Sequence, residues 1–361
     1  MLLRVSNEKI ARILRCEPCR GVVLIGVVYH YAVDLTLQPC TYRMTVFPLT
    51  IFDISSVPLD KKAVVECLAQ RGFCILRGIL SHTDLADIQS RAAHVLKKPA
   101  VAGSYGYNKY DHPKKTANPF ILGGAAIPFM LHPTIIDIIE TRMESECILA
   151  ETVLKFDKGV GYAYFPLHTD FAVGWKKSRN METGLTSEQL ADPVGIGGVL
   201  YLHDTEEGAF TYCDGTHTMG APYGQSLRKY PVNLQRDILS KRVRCDGKAG
   251  DLVLFDDRGF HGPDHPSKKD RLVILLDYYR VKTFGRIQVS PMPIWSTDLA
   301  GLSDHQIRVL GAGATSIESY NTHSKSRFQK HWIFPIIVML IEKAYLFDHC
   351  KNWLKAKLRR S

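Results

Sequence analysis

After Cys147 the chain breaks into short β-like runs separated by turn residues, and this punctuation narrows the fold more than any other feature. The runs are Cys147–Phe156, Val160–Leu167, Gly198–His203, Phe210–Cys213, Arg242–Cys245, Asp251–Phe255 and Leu272–Val281. Asp192-Pro193, Glu207-Gly208, Asp214-Gly215 and Gly250-Asp251 punctuate them. Many short strands so spaced predict a sandwich or barrel. The preceding stretch is mostly helical in pattern. Leu59–Arg71 carries Ala63, Val64, Cys67 and Leu68 at helical spacing and stops at Gly72. Phe73–Gly78 reads as a strand. Ser81 reads as the N-cap of a helix to about Lys97, and Pro133–Met143 as another helix. Residues 99–130 are rich in Gly, Pro, Asn and Tyr and read as a long covering loop. Helices followed by an antiparallel β unit predict an α+β arrangement.

The second β-like run ends on Phe165-Pro166-Leu167-His168-Thr169-Asp170. In an extended chain residues i and i+2 project to one face, so His168 and Asp170 can reach a single metal ion. A second histidine follows the run Leu252–Phe255 after a short turn, at His261. His265 is its rival, but it lies in the turn sequence Pro263-Asp264-His265-Pro266. Two histidines and a carboxylate, with three positions left open, form the facial triad of non-haem Fe(II) oxygenases. The tripeptide alone says little, because His82-Thr83-Asp84 repeats it. That copy opens a helix, where i and i+2 do not face each other and Asp84 serves as a first-turn acid. His203 and His217 read as strand-end or loop histidines. Arg271, ten residues beyond His261, opens an apolar strand ending at Asp277. A guanidinium there matches a carboxylate in two-pronged fashion.

Charge narrows the partners. The net +10 is confined to the ends: residues 1–45 hold six Lys/Arg against three Asp/Glu, and residues 325–361 hold nine against two. The formally neutral middle argues against a nucleic-acid-binding core. Nine scattered cysteines suggest reduced thiols in a cytoplasmic setting. Cys16-Glu17-Pro18-Cys19 lacks the second pair that a zinc site needs. The apolar run Gly21–Tyr29 is neither a signal peptide nor long enough to span a bilayer. Pro335 opens a basic amphipathic helix to about Arg360. Its apolar face suits packing on the body, a homodimer contact through 332–360, or a peripheral membrane contact.

Gly72–Leu80 with the following helix, Tyr201–Phe210, Asp214-Gly215-Thr216-His217, and Gly250–His261 with Arg271 together resemble the phytanoyl-CoA dioxygenase family. The likeness runs over roughly residues 57–282, with its elements in the family's order. It implies a double-stranded β-helix (jelly-roll, cupin-like) core flanked by N-terminal helices, with a C-terminal helical extension. It implies iron on His168, Asp170 and His261, with 2-oxoglutarate held by Arg271 and dioxygen as second co-substrate. The implied reaction is hydroxylation of a small organic substrate, with release of succinate and CO2. Desaturation, epoxidation or ring formation would use the same cofactors, and a non-catalytic jelly-roll binding protein is the contrasting reading. Asp170 argues against halogenation, in which family members replace the carboxylate with a small residue. One departure stands at Pro263, where many members carry a co-substrate-binding serine. The expected organisation is an N-terminal extension over 1–45, a dioxygenase domain over 46–285 and a C-terminal extension over 286–361. Tyr105, Tyr107, Tyr110, Phe120 and Trp175 are candidate pocket residues. Lys176, Lys177 and Arg179 are either an anion contact or a solvated cluster.

Overall fold

The computed structural model describes residues 50–54, 58–97, 114–159, 161, 166–176, 184–264, 266–286 and 299–311. The expectations for 1–45, for most of the run Val160–Leu167, and for the helix within 332–360 lie outside them. So do Tyr105, Tyr107, Tyr110, Lys177, Arg179 and His265.

The helices form where capping and periodicity ask for them. The first, α1 (Lys61–Arg71), starts at Asp60, whose carboxylate accepts from Ala63 N at 3.1 Å. It ends at Gly72, which takes the left-handed conformation (φ +83°). A side chain at Gly72 would also run into the Tyr212 hydroxyl. In α2 (His82–Lys97), Ser81 Oγ accepts from Asp84 N at 3.0 Å, so the first His-Thr-Asp copy is a helix start. Within 99–130, the described residues 114–130 depart from the loop reading. They contain strand β3 (Lys114–Ala117), a 3-10 turn over Pro119–Leu122 and helix α3 (Ala126–Met130). Phe120, Ile127, Phe129 and Met130 are buried, and that burial overrides the loop-like composition. Helix α4 (Pro133–Met143) is as expected.

Among the described residues, ten strands make two sheets. The larger comprises β1 (Ile51–Asp53), β2 (Phe73–Arg77), β3, β4 (Cys147–Asp157), β5 (Gly195–Tyr201), β8 (Leu252–Asp256) and β10 (Arg271–Arg280). Its spatial order is β1-β2-β8-β5-β10-β4-β3. The smaller holds β6 (Thr205–Cys213), β7 (Arg242–Gly247) and β9 (His261–Pro263) in the order β7-β6-β9, with α5 (Val232–Ser240) before β7. His168 bridges to His261 beyond β9. From β4 onward the chain therefore passes back and forth between the sheets, with β8-β5-β10-β4 on one side and β7-β6-β9-His168 on the other. That is the winding of a double-stranded β-helix.

Period-2 alternation assigns the faces. Val199, Tyr201, Val253, Phe255 and Val273 meet Phe210, Tyr212, Val243 and Cys245 between the sheets. Ile196, Leu200, Leu252, Leu254, Ile274 and Leu276 turn the other way, under α1, α2, α3 and α4. With both faces covered, these strands read as nearly continuous apolar runs. After α6 (Val281–Phe284), the C-terminal extension carries a short helix, α7 (Asp304–Val309). A Ser303/Gln306 capping box starts it, and Val309 and Leu310 reach the helix-side core.

Two buried polar devices brace the fold, the first of them joining the two sheets. The Tyr201 hydroxyl donates to Cys245 O at 2.8 Å and accepts from Phe210 N at 2.8 Å. Asp256, the last residue of β8, and Arg258 form a buried ion pair (2.8 and 2.6 Å), with Arg142 at 3.5 Å. Arg258 Nη1 also donates to Leu190 O and Ala191 O, each at 2.9 Å. Burial alone would push the Asp256 carboxyl up. The Arg258 charge and hydrogen bonds, with His217 and Arg142, hold it below the usual range.

Tyr201→Phe keeps the ring but strands two buried backbone groups, so we expect a loss of about 1–3 kcal/mol in urea denaturation. Asp256→Asn leaves the buried Arg258 and the half-buried Arg142 guanidinium groups uncompensated and should cost about 3–5 kcal/mol at neutral pH. Because the folded carboxyl pKa is depressed, its contribution is complete above the ordinary value of about 4 and fades as pH falls through the folded one. The gap between parent and Asp256→Asn should therefore narrow only below about pH 4.

Candidate metal centre

His168 and His261 are held opposite each other by a reciprocal pair of backbone hydrogen bonds. His168 N donates to His261 O at 3.0 Å, and His261 N to His168 O at 2.8 Å. Such a pair sets two side chains on the same face of a ladder, and the imidazole centroids lie 4.6 Å apart. Asp170, two residues along, falls on the same side. Its Oδ1 lies 3.4 Å from His168 Nε2 and its Oδ2 3.2 Å from His261 Nε2. One ligand atom from each residue lies within 4.8 Å of the others. Thr169 turns away, buried, and donates to Phe171 O at 2.8 Å. Asp170 N donates to Asp257 O at 2.9 Å, and Gln225 Nε2 to Asp170 O at 2.6 Å. The carboxylate is thus fixed by its backbone from both sides.

The ring orientations are set as well. His168 Nδ1 lies 3.1 Å from Pro166 O, and His261 Nδ1 lies 3.0 Å from Gly259 O. A carbonyl only accepts, so each Nδ1 carries the proton and each Nε2 presents a lone pair toward Asp170. The His261 ring is wedged against Phe255 and Phe210, with centroids at 4.6 and 5.7 Å. The turn that delivers it is tight: a Cβ on Gly259 would overlap the Tyr212 hydroxyl, which donates to Asp256 O at 2.9 Å. Burial would raise the Asp170 carboxyl, but His261 and His168 in their protonated, N–H-donating forms pull it well below the usual carboxylate range, a role that a bound cation would take over from the neutral rings. Two neutral nitrogen donors and one ionised oxygen suit a divalent transition metal bound on one face.

Arg271 opens β10 on the same face as Val273, toward the space between the sheets. Its Nε and Nη2 meet Asp157 Oδ2 at 3.2 and 2.6 Å, and Lys155 Nζ lies 3.2 Å from the same oxygen. All three side chains are buried. The sequence reading did not assign Asp157, although it is the cross-strand neighbour of Arg271. His203 Nε2 accepts from Leu272 N at 2.9 Å, and His217 Nε2 lies 3.0 Å from Ala69 O. Neither joins the cluster. Phe120 is core rather than pocket lining. Trp175 packs edge-on to Phe171 at 4.9 Å and lies beside Tyr279 and Phe284, and Lys176 is exposed.

Sequence reasoning missed a second group. Asp257 and Asp277 place carboxylate oxygens within 4.8 Å of each other and of Asp170, and Glu151 is paired with Asp277 across β4 and β10. Parity was the available signal, since 271, 273, 275 and 277 share one face and carry a charge at each end.

No family model matches the chain, and no curated protein matches it. Among solved structures, the chain resembles the epimerase SnoN in complex with Fe3+, alpha ketoglutarate and nogalamycin RO. That match has 16% identity and a TM-score of 0.48, over 61% of this chain and 84% of that one. It also resembles EctD from S. alaskensis with 2-oxoglutarate and 5-hydroxyectoine (16%, TM-score 0.47, 63% and 78%). A third likeness is to AviO1 from Streptomyces viridochromogenes Tue57 (16%, TM-score 0.46, 62% and 96%).

Proposed function

We propose that this chain is a non-haem Fe(II)- and 2-oxoglutarate-dependent dioxygenase of the phytanoyl-CoA dioxygenase type, acting on a small organic substrate. One observation carries the reading. Two imidazole Nε2 atoms and a carboxylate converge from separated segments, with both tautomers already set for ligation. His168, Asp170 and His261 would hold the iron. Bound there, iron would supply oxidation of a C–H bond by dioxygen, coupled to conversion of 2-oxoglutarate to succinate and CO2.

The remaining residues prepare that site. The Phe255 and Phe210 rings exclude water from one side of His261. Arg271, with Lys155 beside it, would receive the distal carboxylate of 2-oxoglutarate. Asp157 would preorient the guanidinium before the co-substrate arrives. Pro263 offers no donor for that task, which leaves more of it to the cationic pair. Hydroxylation is the outcome we favour among those open to this cofactor set.

Anaerobic titration of the full chain with Fe(II) should show one tight site, and His168→Ala or His261→Ala should each abolish it. Iron bound equally well by both variants would end the proposal. Succinate release should require Fe(II), 2-oxoglutarate and dioxygen together. Arg271→Ala should raise the 2-oxoglutarate concentration for half-maximal succinate release about 10- to 100-fold, the equivalent of losing one charge-assisted pair. An unchanged requirement would remove Arg271 from the assignment.

A further inference from the structure

The interior wall beside the metal centre is lined by acids that no described cation balances. Asp257 is fully buried, and neither of its carboxylate oxygens makes a hydrogen bond that satisfies ordinary geometry. Gly197 N approaches it, and the charged groups facing it are Asp277, Asp170 and Asp256. Asp277 faces Asp170 and Glu151, and Glu151 faces Asp170. The charged neighbours of Asp257, Asp277 and Glu151 thus all have the same sign. The carboxylates of Asp170, Asp257 and Asp277 lie within 4.8 Å of one another. Unit charges so close repel by about 1 kcal/mol even in water and by several times that near a protein interior. Burial and this mutual repulsion push the Asp257 and Asp277 carboxyls well above the ordinary range and raise Glu151, and a cation seated among them would let them ionise.

The surroundings have the form of a built pocket. Strand β5 has glycine at both 195 and 197. A Cβ at either would come within 2.6 Å of an Asp257 oxygen, so the strand lacks side chains where this carboxylate needs room. Asp277 sits across from Gly197 on one side and Glu151 on the other. The register of β10 against β4 shifts immediately after it, and a local irregularity of this kind re-aims side chains. Tyr279 lies within electrostatic reach of all four acids, and Phe171 packs against it at 5.2 Å. Carboxylates beside aromatic rings favour an organic cation, which gains from both.

We propose that Asp257, Asp277 and Glu151 form the subsite for a cationic group of the substrate, an ammonium, amidinium or guanidinium carried next to the oxidised carbon. This rests on the dioxygenase reading for the word substrate, but the cation site itself does not need it. A second metal ion is the competing occupant. It would have to share Asp170, both of whose oxygens already face histidine Nε2 atoms. Glu151 and Asp277 are partly exposed, which gives an incoming group access.

Calorimetric titration of the full chain with n-butylammonium and n-butylguanidinium, against the neutral isostere n-butanol, tests the subsite. At least one cation should bind ten or more times tighter than n-butanol. Asp277→Asn and Glu151→Gln should each weaken it at least tenfold. Asp277→Asn keeps the shape of the side chain, so the thermal midpoint should not fall, and lost binding would not reflect lost folding. Cations binding no better than n-butanol, or binding undiminished in both variants, would overturn the proposal. Mg2+ that excludes the organic cation and loses its own site in Asp277→Asn would reassign the cluster to a metal. The anaerobic absorption band of Fe(II) with 2-oxoglutarate is read in parallel. Its absence with cation binding intact would count against the dioxygenase, and its presence without cation binding would count against the subsite alone.

Discussion

The pair of backbone hydrogen bonds between His168 and His261 is the constraint on which the site depends. It closes the smaller sheet against the segment that follows β4, and it places two imidazoles side by side. Asp170 then needs only the pleat of an extended chain to arrive on the same side. A one-residue slip in this pairing would send the rings to opposite faces. The neighbouring elements guard against such a slip. Asp257 O accepts from Asp170 N, the Asp256–Arg258 pair fastens the preceding turn, and Tyr212 closes over Gly259.

Charge is arranged along the interior in an ordered way. On β10, Arg271 and Asp277 share a face and stand six residues apart, about 20 Å at the usual strand rise. Lys155 joins Arg271 at one end, and Glu151 joins Asp277 at the other. Between them run Val273 and Leu275. An elongated dianion anchored at the cationic end and a cation anchored at the acidic end would present their reactive parts toward the middle. The interior would thus sort two small molecules by sign before any specific contact forms.

Much of this was legible in the residues. Gly72, Ser81 and Pro133 marked helix boundaries because their chemistry is local. The histidine–aspartate spacing marked a shared face for the same reason. Strand edges were harder. Gly195-Ile196-Gly197 has little strand propensity and pairs only because β8 and β10 flank it. Phe120 and Met130 sit in a stretch whose composition reads as loop, and only the helices above them make it core. Asp157, Asp257 and Asp277 were invisible as partners because each is joined to its neighbours across strands, and no single sequence states which strands pair.

The close approach of Gly259 to Tyr212 has a bearing on how such a scaffold diversifies. The four-residue turn from β8 to β9 can neither lengthen nor accept a side chain at 259 without displacing a ring from the core. Variation in what the barrel recognises is therefore directed elsewhere, to the connection between Asp170 and β5. Library design that randomises 171–194 while freezing 256–261 would follow the grain of the molecule.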